Sequence, residues 1–143
     1  MWSKTYSKTV GDLTAFQIFS AWSDIDRWPE WLDDVESTEM LGPFIPGSFF
    51  QFKPKGGPNL KLELTETTPN QSFTDMTRFP FARMYDVHEL VETPEGVEIR
   101  STVKISGPAS FLWRKIVGEG IAANAAHQTE LLIARVRTLN SNV

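Results

Sequence analysis

Asp86 and His88 stand two positions apart in the segment Arg83–Thr93, whose composition favours a β-strand, and that spacing puts both side chains on one strand face. A carboxylate beside an imidazole holds the ring in one tautomer and raises its basicity, the starting point of a triad or a general acid–base pair. Neighbouring segments bring more groups to the same face if they pair as hairpins. With Thr93 opposite Gly96 across the turn Thr93-Pro94-Glu95-Gly96, Leu90 faces Ile99, His88 faces Ser101, Asp86 faces Val103 and Met84 faces Ile105. Pairing continued through Phe79-Pro80-Phe81-Ala82 sets Phe73 beside His88 and Asp75 beside Asp86, with Phe79 on the same side.

Three chemistries are open to Asp75, Asp86, His88 and Ser101. A nucleophilic triad is disfavoured, because Ser101 sits mid-strand without evident oxyanion donors. General acid–base work by His88 with Asp75 or Asp86, as an aldol-type cyclisation or dehydration needs, asks less, and two inward carboxylates can share a proton. The plainest reading is a hydrogen-bonded polar patch. No metal is expected, since His88 and His127 are far apart in sequence and no close ligand spacing occurs. The glycine-rich basic stretch Lys53–Lys61 lacks the P-loop pattern and reads as a hairpin loop.

These groups sit in a chain of 143 residues, read as one domain over 1–143. The apolar fraction of 41%, charged fraction of 22% and net charge of −4 are those of a globular protein with no general attraction for nucleic acid or anionic membrane. The chain has no cysteine, which excludes a disulfide framework, a thiolate metal site and a cysteine nucleophile, and suits the cytoplasm. The opening residues lack the apolar core of a signal peptide, and no apolar segment is long enough to span a bilayer. No cofactor is called for.

Along the chain, Trp2–Val10 reads as a strand, and Asp12 as the N-cap of a helix over Leu13–Trp22. A second short helix follows Asp26 or Trp28, with Pro29 near its first turn. Strands are expected over Val35–Leu41, Ser48–Lys53, Leu60–Thr67, Ser72–Phe79, Arg83–Thr93 and Val97–Ser106, separated by turn residues. Pairing through Thr68-Pro69-Asn70-Gln71 adds Leu60, Leu62 and Leu64 to the inner face, and Phe50 and Phe52 continue the pattern. The chain after Gly107-Pro108, Ala109 to about Leu139, is helical. A straight helix of that length would run about 46 Å against a domain diameter of roughly 37 Å, so Gly118-Glu119-Gly120 is the expected weak point.

The order of one strand, two short helices, a strand meander and a long helix predicts an α+β fold of about seven antiparallel strands packed on the C-terminal helix. On that helix, Leu112, Trp113, Ile116 and Val117 form an apolar stripe that Gly120, Asn124 and His127 continue with small or polar groups. Ile121, Leu132, Val136 and Leu139 form a second, rotated stripe. Small groups on a stripe that faces a sheet leave room for a cavity.

The segments Trp22–Ser37 (WSDIDRWPEWLDDVES), FKPKGGP, FTDMTRFPFARMYDVHEL and GPASFLWRKIVGEGIA resemble the START-like (SRPBCC) superfamily, and specifically small bacterial polyketide cyclase/dehydrase-like proteins. The resemblance covers essentially the whole chain. It implies a helix-grip fold, with a curved sheet gripping the C-terminal helix around a cavity that the two short helices close at one end. The match at VHEL implies an inward His88; no catalytic signature carries over.

The partner expected is therefore a small hydrophobic or amphipathic molecule, with Trp28, Trp31, Phe50, Phe52, Leu62, Leu64, Phe73, Phe79 and Met84 as walls. Asp75, Asp86, His88 and Ser101 supply the polar end, and Trp113, Ile116, Gly120 and Asn124 the helix side. The entrance is expected between the first half of the helix and the tryptophan corner. The alternative is a cyclase or dehydratase using His88 with Asp75 and Asp86.

Overall fold

The structure, a computed structural model, describes residues 1–141; positions 142 and 143, which the expected 1–143 domain includes, lie outside the described residues. Seven strands, β1 (Trp2–Val10), β2 (Val35–Met40), β3 (Phe49–Pro54), β4 (Leu60–Thr68), β5 (Ser72–Phe79), β6 (Ala82–Thr93) and β7 (Gly96–Ser106), form one antiparallel sheet. Their order is β1-β7-β6-β5-β4-β3-β2, so only β1 leaves the meander, crossing to pair with β7. This is the helix-grip α+β arrangement.

The hairpin registers follow the expected pairing. Thr93 opposes Gly96, His88 opposes Ser101, Asp86 opposes Val103 and Met84 opposes Ile105. Phe73 opposes His88 and Asp75 opposes Asp86. The β4–β5 hairpin reaches the expected faces by another route. Thr68 pairs with Ser72 rather than Gln71, which lengthens the loop by one residue around Asn70 at φ 62°; a bulge at Thr65 then restores the parity, so Leu64 still opposes Asp75. Trp2, Lys4, Tyr6, Lys8 and Val10 of β1 share the inner face, opposite Ile105, Val103, Ser101, Ile99 and Val97.

Helix α1 (Ala15–Trp22) starts two residues later than its sequence suggests. Its N-cap is Thr14, not Asp12. The Thr14 hydroxyl accepts from the Gln17 N–H at 3.1 Å, and the Gln17 side chain accepts from the Thr14 N–H at 3.0 Å, a reciprocal box that Asp12 lacks the spacing to form. The Asp12 carboxylate instead accepts from Nε and Nη2 of the Arg137 guanidinium. The second short helix is a 3₁₀ turn, Ile25–Glu30, with Pro29 near its end rather than its start. The Trp28 indole donates to the Trp22 carbonyl at 2.9 Å, and Thr38 donates to the Ile25 carbonyl at 2.6 Å, pinning this corner to α1 and β2.

The C-terminal helix is continuous but not uniform: α2 (Ser110–Trp113), a π turn (Arg114–Gly118) and α3 (Glu119–Ser141). The irregularity precedes Gly118-Glu119-Gly120 and ends on its first glycine. A Cβ on Gly118 would lie 2.7 Å from Ile105 and Trp2, so the helix comes closest to β7 and β1 at that point. The π turn divides the preceding stripe: Trp113 and Val117 pack on the sheet, while Leu112 and Ile116 are exposed, as is Leu139 at the other end. The core under α3 is built on Leu132, Ile133 and Val136 with Ile18, Phe73 and Ile99. A smaller cluster around Ile105, Met84 and Val103 packs against Trp113 and Phe79, whose rings stack at 4.4 Å.

The two glycines Gly96 and Gly120 should respond oppositely to alanine. Gly96 sits at φ 137°, and a Cβ there would meet the Val10 carbonyl oxygen at 2.1 Å, while Gly120 has open space around it. Urea unfolding of Gly96→Ala should show a loss of about 2–4 kcal/mol, from backbone strain plus the clash. Gly120→Ala should be neutral or gain up to about 1 kcal/mol from helix propensity.

Candidate functional site

Between the inner faces of β1, β6 and β7 and the helix α3 lies a cavity of about 190 Å³. Trp22, Trp28, Trp31 and Leu32 close one end, and Phe52 and Val35 extend that apolar wall. The opposite side is the helix, where Ile121, Ala122, Ala125 and Thr129 face the sheet. A polar ledge runs across the floor, made of Asp86 and His88 from β6, Ser101 from β7, and Lys4 and Tyr6 from β1. These residues converge because Tyr6 opposes Ser101 and Ser101 opposes His88 in the sheet register.

His88 is buried and fixed on every side. Its ring stacks on Phe73 at 4.1 Å and meets the edge of Trp22 at 5.0 Å. Nδ1 lies 3.1 Å from the Phe73 carbonyl oxygen, which can only accept, so the Nδ1 proton is donated there and Nε2 faces the ledge. From Nε2, Asp86 Oδ1 is 3.7 Å away. Asp75 stands behind Asp86, only 4% exposed. Burial, and secondarily the neighbouring Asp86 charge, pushes the Asp75 carboxyl well above the usual carboxylate range.

Of the residues anticipated to line a ligand site, Trp28, Trp31, Phe52, Asp86, His88 and Ser101 border the cavity. Phe50, Leu62, Leu64 and Phe73 lie in the main core behind it, and Asp75 lies behind the ledge. Phe79, Met84 and Trp113 belong to the smaller cluster at the far end of the sheet. Ile116 is exposed, and Gly120 is exposed with open space around it, so neither forms part of the helix wall of this cavity. Asn124 contributes indirectly, by donating to Asp34 at 3.1 Å.

Lys4 and Tyr6 are the residues that the hairpin pairing does not reach, because β1 is joined to the meander only through a crossover. A signal for them exists in β1 itself: Trp2, Tyr6 and Val10, its large apolar residues, all fall on even positions and take Lys4 with them to the inner face. Ala122, Ala125 and Thr129 are found by spacing along the helix once the sheet-facing side is known.

A polar clasp closes the side of the cavity where Leu32–Val35 meets α3. The Asp34 carboxylate accepts from Asn124 and, at 3.3 Å, from Gln128, while His127 Nε2 and Asp33 Oδ2 are 2.7 Å apart. The Asp33 hydrogen bond and charge raise the His127 pKa, and the same bond lowers that of Asp33.

No family model matches the chain, and no curated protein matches it. Solved structures do. Ara h 8.0201 superposes with a TM-score of 0.73 at 13% identity, over 96% of this chain and 99% of its own. A hypothetical protein from Helicobacter pylori gives a TM-score of 0.74 at 13% identity, over 94% and 87% of the two chains. The di-domain ARO/CYC StfQ from the steffimycin biosynthetic pathway gives 0.74 at 17% identity, matching 99% of this chain to 52% of its own. At such identities the likeness establishes the fold, which is the START-like (SRPBCC) helix-grip fold.

The clasp predicts a defined pH window. His127 has a raised folded pKa, so its contribution is complete below the ordinary value of 6.5 and is lost as pH rises through the raised one. Asp33 has a lowered pKa, so its contribution is present above 3.8 and is lost as pH falls through the lowered value. The pair is fully engaged from about pH 3.8 to 6.5. An NMR titration should place the His127 imidazole above 6.5 in the native protein and return it toward 6.5 in Asp33→Asn.

Proposed function

We propose that this protein binds a small amphipathic molecule of one or two rings in the cavity between sheet and helix. What supports the reading is the division of one partly open cavity into an aromatic wall and a polar ledge. An apolar part would lie against Trp22, Trp28, Trp31 and Phe52, and a polar group would point toward Asp86, His88, Ser101 and Tyr6. Size sets the class. An engineered apolar cavity of about 150 Å³ holds benzene, so about 190 Å³ suits a substituted single ring or a compact fused pair.

The structural relative StfQ, named as an ARO/CYC, keeps a cyclase or dehydratase acting on a polyketide-like chain in view. Such a substrate asks for more space than this cavity offers, since sites for drug-sized ligands begin near 300 Å³. Binding is therefore the reading we adopt.

The three tryptophans of the wall make the test direct. Titration with 2-naphthol, followed by tryptophan fluorescence, should saturate at one equivalent. Ala125→Leu pushes a branched side chain into the cavity from α3 and should weaken that binding at least tenfold, a change of about 1.4 kcal/mol, while leaving the unfolding midpoint unchanged or higher. Equal affinity in Ala125→Leu, or no saturable response in the native protein, would remove the cavity from consideration.

A further inference from the structure

Asp75, Asp86 and His88 are brought to one point by sheet register alone. Asp75 and Asp86 are directly opposed on adjacent strands, and His88 follows Asp86 by two positions on the same face. One ligand-type atom from each of the three lies within 4.8 Å of the other two. All of these atoms are hydrogen-bond acceptors. The carboxylates carry lone pairs, and His88 Nε2 presents a lone pair because the single ring proton is committed to the Phe73 carbonyl through Nδ1. Among the described residues no lysine or arginine forms an ion pair with either carboxylate, and Asp75 gains no hydrogen bond that would favour its charged form. Both Asp75 and His88 are more than nine-tenths buried. Three acceptor groups therefore meet with no lysine or arginine paired to them, two of them on residues almost wholly buried.

We infer that Asp75, Asp86 and His88 form a binding site for a divalent transition-metal ion, of which Zn²⁺ is the type, at the polar ledge of the cavity. Two carboxylate oxygens and one imidazole nitrogen are a donor set that such an ion accepts, and the positive charge offsets two opposed carboxylates at once. The imidazole already has the outer hydrogen bond that metal-bound histidines use, Nδ1–H to a backbone carbonyl, and its packing between Phe73 and Trp22 fixes the direction of Nε2. Three atoms no more than 4.8 Å apart lie at most about 2.8 Å from a common centre. Metal–ligand distances of about 2.0–2.2 Å then require each to move in by up to about 0.6–0.8 Å. Asp86, the least buried of the three, has the freedom to supply most of that movement.

Asp75 closes the site from behind and Asp86 and His88 border the cavity, so a fourth coordination position opens into it. Three protein ligands with one open position is the pattern of a site that takes an exchangeable ligand rather than a purely structural one. The sequence hides this set, because its members come from two strands and the only close spacing is Asp86-Val87-His88. The assignment rests on the strand geometry and stands whether or not the cavity also takes an organic molecule.

Chelator-treated full-length protein should be titrated with Zn²⁺ by calorimetry, and with Co²⁺ by visible absorption, which reports the donor set. One equivalent should bind and raise the thermal midpoint. Asp75→Asn and His88→Gln should each weaken binding by roughly a hundredfold or more and lose the Co²⁺ bands, whereas His127→Gln, which removes the exposed histidine beside Asp33, should bind as the native protein does. Asp75→Asn keeps the shape of the side chain and removes one of two opposed charges, so its metal-free form should melt at or above the native midpoint. A folded Asp75→Asn that binds Zn²⁺ as tightly as the native protein overturns the site, as does a native protein that takes up no stoichiometric metal. Ala125→Leu should lose 2-naphthol and keep Zn²⁺, which separates this site from the organic ligand.

Discussion

A strand's side chains alternate with a period of two, so one residue of slip between β6 and its neighbours would turn His88 and Asp86 from the helix side to solvent. Everything that gives this molecule a site depends on that register. It is held at the β6–β7 end by a turn that only glycine can complete at position 96, where the backbone of β1 passes close enough to exclude a Cβ. At the β5–β6 end, Phe79 opposes Ala82 across a two-residue turn. Between these turns the opposed pairs Phe73–His88, Asp75–Asp86 and His88–Ser101 follow without further choice.

That register has a cost that the fold alone does not offset. Like charges directly opposed across a sheet are destabilising, and an unpaired buried carboxylate costs several kcal/mol. An ordinary core would place Leu or Val at positions 75 and 86, as this sheet does at Ile99, Val103 and Ile105 on the same face. Where local packing rules are broken on a buried face, function is the usual reason. The polar residues are not scattered. Asp75, Asp86, His88 and Ser101 lie in one patch near Trp22 and Trp28, among the apolar Phe73, Met84, Leu90, Ile99 and Val103 of the same face.

Much of this was readable in the sequence, because hairpin turns convert spacing into contact. The turn Thr93–Gly96 has a clear closing pair, and from it the neighbours of Asp86 and His88 follow. Legibility ended where contacts are not local. Lys4 meets Val103 and Tyr6 meets Ser101 through a crossover spanning most of the chain, and no turn announces their register. The helix was harder still. Its stripe can be read from a period of 3.6 residues only while that period holds, and the π turn at Arg114–Gly118 breaks it; Ile116 and Gly120, which that period sets inward, are exposed. Asp12 failed as a cap for a different reason: it satisfies the composition of an N-cap but not the three-residue spacing that Thr14 and Gln17 share.

The cavity itself follows from how the helix is held. Gly118 lets the backbone approach Ile105 and Trp2 at one point, and Leu132, Ile133 and Val136 bury themselves in the core further along. From Gly118 to Leu132 the axis advances about 21 Å, too short and too stiff a span to sag toward the sheet. Over that span the side chains at the cavity wall include Ala122, Ala125 and Thr129, which are too short to reach the floor. Asp33 and Asp34 tie the same span to the Leu32–Val35 segment through His127, Asn124 and Gln128, so the helix cannot lift away freely either. A helix fixed at both ends and clasped at its side, with small residues between, leaves a gap of set size. Its apolar wall would stay dry, and its ledge of Asp86, His88, Ser101 and Tyr6 offers polar partners to whatever fills it.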